Sequence, residues 1–192
     1  MIRILFVDDH PAVRAGLQTV MHDECGLVPA GAAASEHQLW PALYRTRPDV
    51  VLLDYHLPGS DGLIVCRRIK TTAPPVPHVL MYSAYAGADL AVPAIVAGAD
   101  GVVHKQAPAA ELFQTIRTVA RGECVLPDIS PQMLTRAAER LGVEDRPILA
   151  MRINGTPLTE IADTLRLQAD ELAHRIQRIV GRLRVDVPAS AA

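Results

Sequence analysis

Apolar positions along the chain fall into two kinds of run. Short β-branched-rich runs cover 2–7, 27–33, 50–53, 78–81 and 101–104, each bounded by Asp, Gly or Pro. Runs of that length with no polar alternation suit strands buried on both faces of a parallel sheet. Between them the spacing turns helical over 11–22, 36–45, 62–72, a stretch around 90–97, and 109–121. Pro11 suits a first helical turn, where its missing N–H costs nothing. Leu112, Ile116, Val119 and Ala120 fall on one face of the last of these helices. Strand and helix alternate five times, which predicts an α/β fold, a doubly wound five-stranded parallel sheet.

The pattern then changes. Residues 122–130, with Pro127, read as a linker, and four helix candidates follow without a strand: 130–141, 144–153, 158–165 and 169–184. Asn154-Gly155 is placed to end the second in a left-handed stop. The last residues, 187–192, are expected to fray. Two domains are therefore expected, 1–121 and 131–192, the second a small all-α unit. Charge supports the division: 1–130 carry a net −3 and 131–192 a net +1, and all seven aromatics lie before residue 114.

Composition excludes several classes. With 49% hydrophobic and 21% charged residues the chain is ordinary globular material, neither disordered nor fibrous. No apolar run approaches the ~18 residues that span a bilayer, and Met1-Ile2-Arg3-Ile4 is not built like a signal peptide. Cys25, Cys66 and Cys124 are odd in number and in no ligand spacing. A reduced, cytoplasmic protein without membrane contact is the expectation.

Candidate chemistry lies at the strand ends. Ligand sites of open α/β sheets form beyond the carboxyl ends of the strands. Asp8 and Asp9 follow the first strand here, Asp54 the third, Ser83 the fourth and Lys105 the fifth. If the first and third strands are neighbours, three carboxylates converge and need a counter-charge. A hard divalent cation such as Mg2+ answers that need, held by Asp8, Asp9, Asp54 and a backbone carbonyl from the His56-Leu57-Pro58-Gly59 turn. Metal, ammonium and hydroxyl together would stabilise a phosphoryl group on the Asp54 carboxylate. An isolated strand-end Asp is commonly a helix cap, but five matching groups at four strand ends are harder to explain so. Only two of the 19 basic residues are lysines, and keeping a compact ammonium at 105 suits a phosphoryl partner better than a planar fork would.

Val7-Asp8-Asp9-His10, Leu53-Asp54 through Gly62, Ser83-Ala84 and Ala97-Gly98-Ala99-Asp100-Gly101…Lys105 resemble the receiver domain of two-component response regulators over residues 1–121. The resemblance implies Asp54 as phosphoacceptor, Asp8 and Asp9 with the His56 carbonyl as the Mg2+ site, Ser83 as switch hydroxyl and Lys105 as phosphoryl-binding lysine. It implies a sensor histidine kinase as donor, and a protein that is not an enzyme beyond its own phosphorylation and dephosphorylation. Three positions depart from the pattern. Val102 stands where many receivers carry an aromatic switch, with Tyr82 as a candidate substitute. Gln106 replaces the proline that follows the lysine in many receivers. Pro93 falls inside the fourth helix, which should therefore kink or begin late, with Ala86-Gly87-Ala88 offering little to bury and 84–92 loosely ordered.

In the C-terminal unit, 158–165 and 169–184 stand at helix-turn-helix spacing. Ile161, Ala162, Leu165, Leu172, Ile176, Ile179, Val180 and Leu183 form the expected core. The outer face of the second helix offers Arg175, Gln177, Arg178 and Arg182, side chains suited to phosphates and base edges. An amphipathic helix of this kind can equally be a solvated surface. Gly155, Glu160-Ile161-Ala162, Leu165, Leu167, Arg178-Ile179 and Arg182-Leu183…Val185 resemble the LuxR-type helix-turn-helix that ends NarL/FixJ response regulators. Two segments depart from it: Glu171-Leu172-Ala173 replaces Thr-Val-Lys, and Gly142-Val143-Glu144-Asp145 replaces the opening Thr-x-Arg-Glu. A carboxylate gained and a lysine lost weaken DNA attraction electrostatically. The expected function is a phosphorylation-controlled, DNA-binding transcriptional response regulator that forms a homodimer on activation. The alternative is a phospho-receiver whose altered module binds protein or dimerises; an aspartyl hydrolase is disfavoured, lacking a second Asp two residues after a first-strand nucleophile.

Overall fold

A computed structural model describes residues 1–72 and 75–184; the expected fraying of 187–192, and Val185 of the C-terminal motif, lie outside the described residues. Strands β1 (Ile2–Val7), β2 (Leu27–Ala33) and β3 (Val50–Leu53) precede a two-residue-per-arm hairpin, β4 (His56–Leu57) and β5 (Ser60–Asp61), and β6 (His78–Ser83) and β7 (Gly101–His104) follow. Helices α1 (Pro11–His22), α2 (Glu36–Thr46), α3 (Gly62–Thr72), α4 (Ala88–Ala97) and α5 (Ala109–Ala120) alternate with them. The main sheet has the order β2-β1-β3-β6-β7, with every pairing parallel.

Alternate residues of each strand feed opposite layers. Ile4, Phe6, Val50, Leu52, Leu80 and Val103 pack with Leu17 and Met21 of α1 and with Leu112, Ile116 and Val119 of α5. Leu5, Val7, Val51, Leu53, Val79 and Met81 pack with α2, α3 and α4. The linker is not free chain: Val102 donates its N–H to the Val125 carbonyl at 3.0 Å, so the segment covers the β7 edge.

Four helices follow: α6 (Pro131–Glu139), α7 (Arg146–Ile153), α8 (Leu158–Leu165) and α9 (Ala169–Leu183). Ser130 caps α6 by accepting the Met133 N–H at 3.4 Å. Gly155, at φ 77°, takes the left-handed conformation that stops α7. Ile148, Leu149, Ile161, Leu172, Ile176, Ile179 and Leu183 form the helical core, which is continuous with the α4 side of the sheet.

The expectation for α4 needs correcting. The helix runs unbroken from Ala88 with Pro93 inside it, and Leu90, Ala91, Val92, Ala94, Val96 and Ala97 are buried. Pro93 deprives only the Asp89 carbonyl of a partner, in the first turn of the helix and on an exposed residue where water can serve. A helix apolar all round is stable when covered all round. The sheet covers one side of α4, and α6, α7 and α9 cover the other. None of the helices among the described residues is long and apolar enough to cross a membrane.

Candidate functional site

β1 and β3 are neighbours in register, Val7 opposite Leu53, so the residues that follow each strand emerge side by side. The Asp54 N–H donates to the Val7 carbonyl at 2.8 Å, tying the two strand ends together. Gly62 lets the start of α3 lie against this corner. A Cβ there would come within 2.8 Å of the Tyr55 Cα, and backbone cannot give way as a side chain can.

Asp8 and Asp54 are 2% and 3% exposed, and the Lys105 ammonium sits between them. Its Nζ lies 2.6 Å from Asp8 Oδ2 and 2.7 Å from Asp54 Oδ2. Burial pushes the Asp54 carboxyl above the usual carboxylate range; Lys105 pulls it back, and the Asp8 charge adds to the rise. Burial alone would depress Lys105, but its hydrogen bonds to Asp54 and Asp8 outweigh that and hold it above the ordinary lysine value. Asp9 is drawn in through His10, whose Nδ1 lies 2.7 Å from Asp9 Oδ1. The His10 N–H donates to Asp8 Oδ1 at 2.8 Å and the His56 N–H to Asp54 Oδ1 at 3.4 Å. Ligand atoms of Asp8, Asp9, His10 and Asp54 all lie within 4.8 Å of one another. Three carboxylates against one ammonium leave a deficit of two positive charges. That deficit and the hard oxygen donors fit one Mg2+ ion.

Ser83 is wholly buried at the end of β6. Its Oγ accepts the Tyr85 N–H at 3.1 Å and makes no hydrogen bond to Asp54 among the described residues. Besides His10, two contributors were not singled out from the sequence for the roles they hold here. Arg14 donates from Nη1 to the Asp8 carbonyl at 2.5 Å, and Tyr82 donates its hydroxyl to the Lys105 carbonyl at 3.2 Å. Neither leaves a local sequence signal, because each acts on a backbone group brought near by the fold.

The C-terminal candidates are placed differently from the exposed row expected of them. Arg175 is 14% exposed at its side chain and donates from Nε to Asp145 Oδ1 at 3.0 Å. Arg178 grips the same carboxylate in a fork, Nε to Oδ2 at 3.0 Å and Nη2 to Oδ1 at 2.9 Å. Asp145, just before α7, is fully shut from solvent. Burial would raise its carboxyl, but the two guanidinium groups together hold it below the usual range. This corrects the expectation that Arg175 projects freely. A buried carboxylate 30 residues away claims it, a partner that helix periodicity cannot reveal. Gln177 and Val180 face Ile64, Arg67 and Arg68 of α3 across a cleft. Arg182 is exposed.

α9 thus lies against the sheet domain, packed on α4 and α3. Arg184 reaches from its end to Asp61 Oδ2 at 2.7 Å, in the hairpin that follows Asp54. Arg152 Nη2 donates to the Ile95 carbonyl of α4 at 3.0 Å. The all-apolar run 90–97 was the available signal for this docking, since a sheet covers only one side of a helix.

A response regulator receiver domain profile matches residues 4–117. The chain is similar, at 28% identity over all of its length and 93% of the other, to the DNA-binding transcriptional activator DevR/DosR of Mycobacterium tuberculosis. The structure of a LuxR-family two-component response regulator from Aurantimonas sp. SI85-9A1 matches 72% of this chain and 96% of its own, at 32% identity and TM-score 0.61. RcsB of Salmonella enterica serovar Typhimurium, bound to a promoter in the presence of the phosphomimetic BeF3−, shares the fold. It is 19% identical, covers 97% of this chain and 93% of its own, and has TM-score 0.62. These proteins are response regulators rather than classical enzymes.

Proposed function

The chain belongs to the LuxR-family (NarL/FixJ-type) two-component response regulators, and we propose how its residues make it a phosphorylation-controlled, DNA-binding transcriptional regulator. Residues 1–121 form the receiver, 122–130 the linker and 131–192 the DNA-binding module. The protein acts in the cytoplasm, and a sensor histidine kinase is the phosphoryl donor. A carboxylate oxygen of Asp54 attacks the phosphorus of its phosphohistidine, the N–P bond breaks and the imidazole leaves. The observation that supports this most strongly is Lys105 bridging Asp8 and Asp54, a buried ammonium already placed beside the acceptor oxygen.

Asp8, Asp9, Asp54 and the His56 carbonyl would hold Mg2+, which neutralises charge on the phosphoryl oxygens. Lys105 then leaves Asp8 to pair with the phosphoryl group. Ser83 exchanges the Tyr85 N–H for a phosphoryl oxygen, which moves the 84–87 loop just ahead of α4. The hairpin after Asp54 shifts with it and loosens Asp61 from Arg184. Both changes weaken the seat of α9.

In the unphosphorylated state α9 is docked with Gln177 turned to α3, so it cannot enter a major groove. Release presents Arg182, the half-exposed Arg178 and Gln177 to DNA, with Arg175 holding the helix on Asp145. Release also uncovers the apolar side of α4, which a second copy covers, giving the active dimer. A relative matched end to end is a DNA-binding activator, so the protein-binding alternative is not favoured.

The test is modification by acetyl phosphate with Mg2+, read by intact mass, alongside duplex binding with and without beryllofluoride. Wild type is expected to take one phosphoryl group and to bind DNA more tightly with beryllofluoride. Asp54→Asn is expected to do neither; modification of that variant at the wild-type level refutes the assignment.

A further inference from the structure

Between α3 of the receiver and α9 of the module lies a cleft of about 420 Å³, lined by Ile64, Arg67, Arg68, Gln177 and Val180. Its two arginines differ. Arg68 is already neutralised, paired with Glu36 and lying 5.1 Å above the Trp40 ring. Arg67 is partly buried, and among the described residues no carboxylate or carbonyl accepts its guanidinium. Burial, and then the repulsion of Arg152 from the module, hold it below the ordinary arginine value. Arg152 has its own deficit. It donates to the Thr156 and Ile95 carbonyls, while its buried Nε has no acceptor among the described residues. Asp100, a carboxylate that acts on it, is already held by Lys70 at 2.8 Å and by His78 at 3.3 Å.

Docking therefore brings two guanidinium groups, one from each domain, within range of mutual repulsion, and neither forms an ion pair with a carboxylate among the described residues. Proteins rarely bury unpaired charge, and a planar guanidinium with free N–H groups is built for a bidentate oxyanion. The cleft supplies the remaining parts: the Gln177 amide as a second donor, and Ile64 and Val180 as apolar walls that strengthen the charge interaction.

We propose that this cleft binds a compact phosphate-class oxyanion, a small phosphorylated molecule held in two-point contact by Arg67 with Gln177 at its side. Two lining residues come from α9, so the site exists only while the module is docked. The ligand acts as a glue: it stabilises the closed form and opposes DNA binding, by the reciprocity that binding linkage imposes. It is a second input, independent of Asp54.

The test uses the unphosphorylated full chain in EDTA with no phosphoryl donor, so its failure and failure of the Asp54 reading are separate results. Inorganic phosphate and pyrophosphate are titrated against chloride at matched ionic strength, with calorimetry and thermal melts as readouts. One saturable site and a raised Tm are expected. Arg67→Gln should weaken binding by about tenfold or more, since a charged hydrogen-bonding partner is lost. Arg68→Gln should weaken it less, and the exposed Arg45→Gln not at all. Saturating pyrophosphate should also lower the affinity of wild type, but not of Arg67→Gln, for a duplex. Absence of saturable binding, or equal binding by Arg67→Gln, overturns the site. Binding that leaves DNA affinity unchanged overturns its placement between the domains.

Discussion

Two buried ion clusters organise this molecule, and they differ in charge balance. At the sheet edge Asp8, Asp9 and Asp54 face the single ammonium of Lys105, with Asp8 and Asp54 within 2.7 Å of it. In the helical module Asp145 alone faces two guanidinium groups, Arg175 and Arg178, with every contact near 3.0 Å. The first is short of positive charge and has carboxylate oxygens to offer; the second has more donors than it needs. A deficit of two positive charges invites an ion and then a phosphoryl group. A saturated carboxylate does nothing but hold α9 to the start of α7. Burial and hydrogen bonding look alike in the two clusters, and the net charge tells a working site from a structural one.

The sharpest way to break that distinction is to remove a cation from each and ask whether Mg2+ replaces it. Lys105→Ala should cost about 3 kcal/mol in EDTA, since it strands two buried carboxylates. Mg2+ should restore most of the loss in a thermal melt. A variant that melts identically with and without Mg2+ would show that the pocket is only an ion pair.

Asp145→Asn should cost roughly 2–3 kcal/mol, discounted for the half-exposed Arg178, and lower Tm by about 4–10 °C. Mg2+ should not restore it. Because the folded Asp145 value lies below its ordinary 3.8, its contribution is fully present above that pH and is lost as pH falls through the folded value. The gap between wild type and Asp145→Asn should therefore stay flat from pH 5 to 8 and close only in acid. A gap that narrows near neutrality would mean another group holds the helix.

The smallest effect is expected at the tie between the two regions. The Arg184–Asp61 pair is solvent-exposed on the arginine side, so it is worth no more than about 1 kcal/mol. Arg184→Ala should raise duplex affinity of the unphosphorylated protein by up to about fivefold. Its effect after beryllofluoride should be nil. An equal change in both states would place Arg184 at the DNA instead.

Much of this was legible along the chain. Strand and helix periods, Pro11 in a first helical turn and the stop at Gly155 are local properties, and the helices 62–72 and 158–165 have the expected bounds. The pocket was legible because four strand ends each carry a polar residue and a parallel sheet brings those ends to one edge. His78–Ser83 extends two residues past the expected strand, because backbone pairing with β7 continues to Ser83 opposite His104. Pro93 misled because local hydrogen bonding was weighed without the burial on two sides that outweighs one lost bond.

Sequence by itself determined what repeats within a few residues: element types, the converging carboxylates, the lysine kept at 105, and an α9 with one apolar face. Tertiary structure alone decided which charge meets which. Arg175 and Arg178 find Asp145 some thirty residues back, Arg184 finds Asp61, and Arg67 comes within range of Arg152 and pairs with no carboxylate among the described residues. Hydrophobic periodicity acts over one or two turns of chain, and that range sets which face is buried. An ion pair depends on two side chains meeting within about 4 Å, which only the packed positions of whole elements can specify.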